Sequence, residues 1–215
     1  NRATPSKELG TIAVTNSTGT NTTHFSVLDK YGNRVASTLS INLPFGSGFV
    51  VEGTGVLLNN EMDDFTIKPF AANTYGLVGY QANAIHPGKR PLSSMTPTFV
   101  ESDDRIGILG TPGGSRIISM VLLAILDFAA GELPGSWVNL PRYHHQYIPD
   151  LVQYEKGGFS KDEKSKLILK GHKLKEIKRR YGNMQAIMQW KSRNINFVAS
   201  DPRGEGTAET INSYQ

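Results

Sequence analysis

The chain has 215 residues, of which 38% are hydrophobic and 20% are charged, with a formal net charge of +4. This composition indicates a globular domain with a substantial core and argues against a disordered chain. The absence of cysteine excludes disulfides, zinc–thiolate sites and thiol catalysis. The apolar runs are shorter than the roughly 18 residues of a membrane-spanning helix, and the mild positive charge does not by itself indicate a nucleic-acid partner.

Residues 1–21 are polar and rich in Ser, Thr, Asn and Gly, without an apolar period. Such a segment is typical of a linker or a tail. Because the chain begins with Asn1 and not with methionine, we expect it to be a processed or cut piece of something longer.

A β-hairpin is predicted next, with strands over residues 24–29 and 33–42 joined by Lys30-Tyr31-Gly32. A three-residue loop that ends in glycine is typical of a type I turn followed by a left-handed residue. The register that follows pairs Thr22 with Ser40, and it pairs His24 with Thr38.

The alternation of this hairpin separates two kinds of side chain. The period of two places the hydroxyl and amide groups on one face, namely Thr38, Ser40 and Asn42. We expect the other face to enter the core through its aliphatic side chains, Val35, Leu39 and Ile41. The hydroxyl face has two interpretations: an ordinary threonine-rich strand, or a nucleophile that needs no histidine base.

The rest of the chain mixes short strands with helices. Strands are predicted over residues 56–59, 97–100, 106–109, 185–189 and 195–199. A helix is predicted over residues 116–129, a second over residues 160–170 from the capping box Ser160-Lys161-Asp162-Glu163, and a further helix or turn over residues 173–181. Residues 64–83 are expected to be irregular.

Polar residues cluster at three places that could bind a ligand or take part in catalysis. Glu61, Asp63 and Asp64 follow a strand and could bind a cation or an ammonium group, or they form a solvated acidic loop. Ser93 and Ser94 could hold a carboxylate through neutral donors, although Pro87-Gly88 also predicts an ordinary turn there. Gly113 and Gly114 open a helix, where free amides can bind an anion or an oxyanion; the alternative is a tight strand-to-helix turn.

Two further features favour structural interpretations. His144 and His145 are adjacent, and neighbouring side chains on an extended chain point to opposite faces, so they are poorly placed to chelate one metal ion. Residues 161–180 are strongly basic, which could indicate a nucleic-acid surface. That segment lacks the aromatic side chains of a single-strand binder, so a solvated helical face is favoured.

A series of short motifs runs from Thr22 almost to the end of the chain. They are Thr22-Thr23-His24-Phe25-Ser26, Phe45-Gly46-Ser47-Gly48, the run from Leu57 to Phe65, the run from Pro87 to Met95, Pro112-Gly113-Gly114-Ser115, Pro141-Arg142 with His144-His145-Gln146, and Ser200-Asp201-Pro202-Arg203. Each is weak alone, but the ordered set resembles one family, the γ-glutamyltranspeptidases, and specifically their small subunit and cleavage site.

The resemblance implies an α+β fold, the four-layer αββα sandwich of the N-terminal nucleophile (Ntn) hydrolases. It implies a precursor that cleaves itself between Asn21 and Thr22. Residues 1–21 are then the linker from the end of the large subunit, and residues 22–215 are the small, catalytic subunit. The hydroxyl of Thr22 would attack, and its own freed α-amine, with a pKa of about 8, could act as the base.

The resemblance also assigns roles to individual residues. Thr22 is the nucleophile, and Ser40, a threonine in relatives, supports it with its hydroxyl. Asn42, Glu61 and Asp64 hold the α-amino group of the γ-glutamyl moiety, and Ser93 and Ser94 bind its α-carboxylate. The amides of Gly113 and Gly114 form the oxyanion hole, Tyr75 falls where a lid residue covers the site, and no cofactor or metal is required.

The expected partners are the large subunit of the same precursor, which supplies an arginine for the α-carboxylate, and glutathione or another γ-glutamyl compound. The acceptor is water, an amino acid or a peptide, and the protein is exported to the periplasm, the cell surface or the medium. Three alternatives stay open: an acylase or poly-γ-glutamate depolymerase on the same scaffold, a catalytically silent homologue that acts as a binding module, and a basic nucleic-acid binder.

Overall fold

A computed structural model describes residues 21–68, 71 and 79–211. They fall into two compact units. The first, here the sheet unit, comprises residues 21–40, 94–140 and 180–211; the second, the loop unit, comprises the described residues of 41–93 and 141–179.

Fourteen strands and α-helices follow one another along the described residues. In chain order they are β1 (Thr22–Leu28), β2 (Arg34–Ser40), β3 (Val50–Val51), β4 (Val56–Leu57), β5 (Thr98–Glu101), β6 (Arg105–Gly110), α1 (Ile117–Ala130), α2 (Pro134–Asn139), β7 (Tyr143–His144), β8 (Val152–Glu155), α3 (Lys161–Leu169), β9 (Leu174–Ile177), β10 (Gln185–Trp190) and β11 (Ile195–Ser200). Short 3-10 turns cover Glu61–Asp64, Gln81–Asn83 and Gly114–Arg116.

The hairpin of β1 and β2 has the predicted register, with Thr22 opposite Ser40 and His24 opposite Thr38. Its turn is fixed by Asp29, whose Oδ1 accepts hydrogen bonds of 2.8 Å from the amides of Tyr31 and Asn33. Gly32 adopts φ +86°, a left-handed conformation that costs glycine little. The turn chemistry therefore sets which side chains share a face.

The sheet unit is built in three layers. Its central antiparallel sheet has the strand order β11-β10-β6-β5. On β6, Leu109 packs with α1 and α2, whereas the backbone of the next residue, Gly110, lies against His24 of the hairpin. Because neighbouring residues of a strand face opposite sides, the helices cover one face of the sheet and the hairpin covers the other.

The core of this unit lies between the central sheet and the helices. It is lined by large side chains that are almost fully buried: Leu109, Ile117, Met120, Val121, Phe128, Trp137, Val138, Met184 and Met188. α1 ends at Gly131, which adopts φ +100° and donates its amide to the carbonyl of Phe128, a common way to stop a helix.

The prediction of which hairpin face enters the core is wrong. Two of the three aliphatic side chains that we expected to enter the core are exposed in this chain: Val35 is 44% and Leu39 is 53% exposed, whereas Ile41 is half-buried. Phe25 and Val27 on the paired strand are also exposed. The hydroxyl face is the one that packs on the central sheet, because His24 lies against Gly110 of β6 and the hydroxyl of Ser26 donates toward carbonyls of β6 and β10. Alternation separated the two faces, but it could not tell which one this chain buries.

The loop unit contains smaller elements. β3 pairs with β4, and β7, β8 and β9 form a three-stranded sheet in which β8 and β9 run parallel. α3 begins with the predicted capping box, in which Ser160 and Glu163 exchange hydrogen bonds. The helix or turn predicted over residues 173–181 is wrong: Leu174–Ile177 is strand β9, stabilised by pairing with β8.

The α+β class is confirmed, whereas β3, α2, β7 and β8 were not predicted. Within the residues described, no helix combines the length and the apolar character that crossing a bilayer requires.

Candidate functional site

The predicted nucleophile lies at the start of β1 in the sheet unit. The hydroxyl of Thr22 donates a hydrogen bond of 3.0 Å to Oγ of Ser40 across the hairpin. Both side chains lie on the face that packs against the central sheet. A hydroxyl held by a second hydroxyl has a defined direction, which a nucleophile requires before it can attack a bound carbonyl.

His24 follows Thr22 on the same face of β1 and is only 4% exposed. Its Nδ1 lies 2.8 Å from Oγ1 of Thr38, and its Nε2 lies 3.1 Å from Oγ of Ser26. Burial lowers the pKa of His24 from 6.5 to about 4, because a charged imidazolium loses its hydration in the interior. The imidazole is therefore neutral near neutral pH.

Gly113 and Gly114 lie between β6 and α1. Gly113 adopts φ +151° and Gly114 adopts φ +59°, and Gly114 opens the 3-10 turn that leads into α1. A Cβ on Gly113 would lie 2.5 Å from Cε of Met120. The predicted tight strand-to-helix turn is therefore present. Because the first amides of a helix have no partner within it, the same turn is also compatible with binding of an anion or an oxyanion.

The acidic cluster lies in the loop unit, on the 3-10 turn Glu61–Asp64. Oε1 of Glu61 is buried and has no hydrogen-bond partner among the described residues. Burial raises the pKa of Asp64 from 3.8 to about 6; the charges of Glu61 and Asp63 and a hydrogen bond from Asp64 to Glu61 add to this effect. Two close, poorly hydrated carboxyl groups favour a cationic ligand.

Asn42 is held next to this turn. It is only 2% exposed and adopts φ +68°, and its Nδ2 donates a 3.1 Å hydrogen bond to the carbonyl of Asn60, the residue before Glu61. Oδ1 of Asn60 accepts in turn from the amide of Leu43. Asn42 is therefore fixed beside the residue that precedes Glu61.

Asn83, which was not predicted as a site residue, connects the acidic turn with the segment that leads to the serine pair. Its Nδ2 donates 2.7 Å to the carbonyl of Asp64, and its Oδ1 accepts 2.9 Å from the amide of Leu92, one residue before Ser93. Asp64, Asn83 and Leu92 all line a cavity of about 240 Å³ in the loop unit. An isolated asparagine in an irregular region gave no signal in the sequence.

The remaining predicted site residues have fewer hydrogen bonds that link them to the acidic turn or to the hairpin. Ser93 is exposed and belongs to the loop unit, and Ser94 is the first residue of the next segment of the sheet unit, where its carbonyl accepts from the hydroxyl of Thr96. Tyr75, the predicted lid residue, lies outside the described residues. In the part of the chain that the structure describes, no group of three or more His, Asp or Glu side chains is placed to hold a metal ion.

A sequence profile for the family described as γ-glutamyltranspeptidase matches residues 1–211 of this chain. The chain belongs to the γ-glutamyltranspeptidase family. Relatives within the family agree: the chain is 45% identical over 205 residues to the glutathione hydrolase proenzyme of Escherichia coli K12, covering 94% of this chain and 35% of that protein. It is 43% identical over 195 residues to the glutathione hydrolase proenzyme of Pseudomonas aeruginosa, covering 88% of this chain and 34% of that protein. The chain thus spans about a third of the length of these relatives.

Solved structures of γ-glutamyltranspeptidases share its fold. A mutant of the Helicobacter pylori γ-glutamyltranspeptidase matches with a TM-score of 0.79 at 43% identity, covering 85% of this chain and 100% of that chain. The Pseudomonas nitroreducens γ-glutamyltranspeptidase in complex with L-DON matches with a TM-score of 0.77 at 42% identity, covering 88% of this chain and 100% of that chain. The Ntn-hydrolase fold expected from the motifs is therefore confirmed, with the hairpin, the central sheet and the helices α1 and α2 as three of its layers.

Proposed function

We propose that this chain is the small-subunit half of a γ-glutamyltransferase precursor, with residues 1–21 as the end of the large subunit. In this proposal the precursor breaks the bond between Asn21 and Thr22, and Thr22 becomes the nucleophile of the mature enzyme. The observation that carries the proposal is the 3.0 Å hydrogen bond from Thr22 to Ser40, at the predicted cleavage site. The word proenzyme in the names of the relatives supports a processed heterodimer.

The proposed reaction begins with attack of the Thr22 hydroxyl oxygen on the γ-carbonyl carbon of a γ-glutamyl compound such as glutathione. The α-amine of Thr22 takes the hydroxyl proton, and Ser40 orients the oxygen. The amides of Gly113 and Gly114 stabilise the negative charge that develops on the carbonyl oxygen.

Collapse of this intermediate breaks the carbon–nitrogen bond, and the leaving amine receives the proton. The result is an ester between Thr22 and the γ-glutamyl group. Water or the amine of an acceptor then attacks the ester, which releases glutamate or a new γ-glutamyl compound and restores the threonine. No step requires a cofactor or a metal ion.

Recognition of the γ-glutamyl group is assigned to residues of the loop unit and to Ser94. Its α-ammonium would lie against Glu61 and Asp64 with Asn42, where a buried carboxylate oxygen has no partner among the described residues. Its α-carboxylate would be bound by Ser93 and Ser94, together with an arginine of the large subunit. Tyr75 is proposed as the lid, and export of the protein remains a prediction from the resemblance.

The test compares γ-glutamyl anilide with glutaryl anilide, which keeps the terminal carboxyl group of the same chain but lacks the α-amino group. The processed precursor should cleave the γ-glutamyl compound and discriminate strongly against the glutaryl compound, because the acidic cluster would face no cation. Preferential cleavage of the glutaryl compound would favour an acylase, and cleavage of neither would favour a silent homologue.

A further inference from the structure

His24 lies two residues along β1 from the proposed nucleophile, on the same face of the hairpin. The pairs Thr22–Ser40 and His24–Thr38 follow each other on one face of the hairpin. Side chains two residues apart on a strand are separated by about 7 Å. His24 is therefore too far along β1 to be expected to take the proton of Thr22, but it lies on the same short strand and can control where that strand sits.

The hydrogen bonds of His24 define its proton positions. The hydroxyl of Ser26 donates toward the carbonyls of Ile108 in β6 and Gln185 in β10, at 3.4 Å each. Since a serine has only one hydroxyl proton, Oγ of Ser26 must accept its bond from the ring, so Nε2 carries the hydrogen. Nδ1 then accepts from the hydroxyl of Thr38, and a neutral imidazole satisfies every partner.

The ring is also fixed by contact with the central sheet. A Cβ added to Gly110 of β6 would lie 2.3 Å from Cε1 and 2.4 Å from Nδ1 of His24. No side chain can therefore separate the ring from the backbone of β6. Hydrogen bonds through Ser26 and this direct contact together hold the hairpin on β6 and β10.

We propose that His24 is a positioning residue for Thr22, acting through the chain Thr38–His24–Ser26. This chain of polar groups holds β1 and β2 in one position on the central sheet and so sets the direction of the Thr22 hydroxyl. The inference rests on the proposed function, in which Thr22 is the nucleophile. The transferred proton stays with the α-amine of Thr22, and His24 remains neutral throughout.

The test uses the full precursor and its processed form. His24→Phe keeps a ring of similar shape and removes both hydrogen bonds, and His172→Phe, at an exposed histidine of the loop unit, is the matched control. We expect kcat for γ-glutamyl anilide to fall by about tenfold or more in His24→Phe, with KM within about twofold of wild type, because orientation and not substrate binding is lost. His172→Phe should match wild type.

Two hydroxyl variants separate positioning from mere folding. Thr38→Val, which keeps the shape of the side chain, should lower kcat, and Thr38→Ser should restore it. His24→Phe and Thr38→Val should be non-additive in kcat, since both remove the hydrogen bond between Thr38 and His24. All rates are measured at a temperature where circular dichroism shows each variant fully folded.

An NMR measurement on the wild-type protein tests the inference even if His24→Phe does not fold. In wild-type protein, ¹⁵N NMR should show the ring of His24 as a single Nε2–H tautomer from about pH 8 to about pH 5. A wild-type kcat in Thr38→Val, additive effects, or a ring that titrates near pH 6.5 would each overturn the inference. Absence of activity in the wild-type enzyme would instead overturn the proposed function, so the two failures are distinguishable.

Discussion

The hairpin and the acidic turn treat their polar groups in opposite ways. On the hairpin, Thr22, His24 and Ser26 find their hydrogen-bond partners within the chain. On the acidic turn, Glu61 keeps a buried oxygen without a partner among the described residues, and the pKa of Asp64 is raised to about 6. We infer that polar groups whose direction matters find their hydrogen-bond partners within the protein. Polar groups that recognise a ligand keep free hydrogen-bonding capacity, which the ligand fills.

Removing a charge from the acidic turn should produce the largest loss of activity among the following variants. Asp64→Asn leaves the ammonium group of the substrate with one carboxylate fewer, and hydrogen bonds to charged groups are worth about 1.5 to 3 kcal/mol. We expect kcat/KM for γ-glutamyl anilide to fall by about 10- to 100-fold, while cleavage before Thr22 proceeds normally. Glu52→Gln, at an exposed acid of the same unit, is the control and should have no effect.

Loss of the Asn83 hydrogen bonds that join the acidic turn to the segment before Ser93 should weaken substrate binding less. Asn83→Ala removes the hydrogen bonds to the carbonyl of Asp64 and the amide of Leu92. We expect KM to rise by about fivefold to thirtyfold, since each of the two bonds contributes about 1 kcal/mol, with little change in the rate of self-cleavage. An unchanged KM would show that the two segments do not depend on Asn83 for their spacing.

The pH dependence of substrate capture should follow Asp64. Because its pKa is raised to about 6, the carboxyl group is protonated below that pH and attracts an ammonium group less strongly. kcat/KM should therefore rise with pH through about pH 6, and in Asp64→Asn this step should disappear. A step that persists in the variant would assign the titration to another group.

The same shift predicts an effect on stability with a definite sign. Between about pH 4 and about pH 6 an unfolded Asp64 is already ionised while the folded one still holds its proton, so the fold is progressively destabilised as the pH rises through this window. Asp64→Asn should consequently melt at a higher temperature than wild type at pH 7, and at a similar temperature at pH 4. Thermal unfolding at the two pH values checks this, with Glu52→Gln again as control.

The smallest effect is expected at Ser40. Ser40→Thr keeps the hydroxyl that accepts from Thr22 and adds a methyl group that restricts its rotamer. We expect kcat to increase by about twofold to threefold, whereas Ser40→Ala should reduce it. A lower kcat in Ser40→Thr would indicate that the methyl group does not fit beside the central sheet.

The sequence predicted those features that depend on local chemistry. The register of the hairpin followed from its three-residue turn, and α3 followed from its capping box, because both are set by residues close in the chain. Strand β9 was missed because Leu174–Ile177 is stabilised by distant pairing with β8. The buried face of the hairpin was assigned wrongly because the choice depends on what each face meets in space.

The candidate site shows the same limit. Motifs identified Thr22, Asn42, Glu61 and Asp64 as candidates, and the register placed His24 opposite Thr38, but the hydrogen bond between those two side chains and the bridging role of Asn83 were not predicted. Both depend on hydrogen bonds between segments that are far apart in the chain or on opposite strands. The identity of a residue in a motif therefore indicates the chemistry, and its partners become visible only in the fold.

The most direct test of the account is the intact mass and N-terminal sequence of the full precursor after incubation, beside Thr22→Ala. Thr23→Ala, which removes the exposed hydroxyl next to the proposed nucleophile, is the matched control. We predict a new chain that begins at Thr22 in wild type and in Thr23→Ala, and none in Thr22→Ala. A folded wild-type precursor that stays intact, or cleavage that persists in Thr22→Ala, would contradict the assignment of Thr22 as the nucleophile.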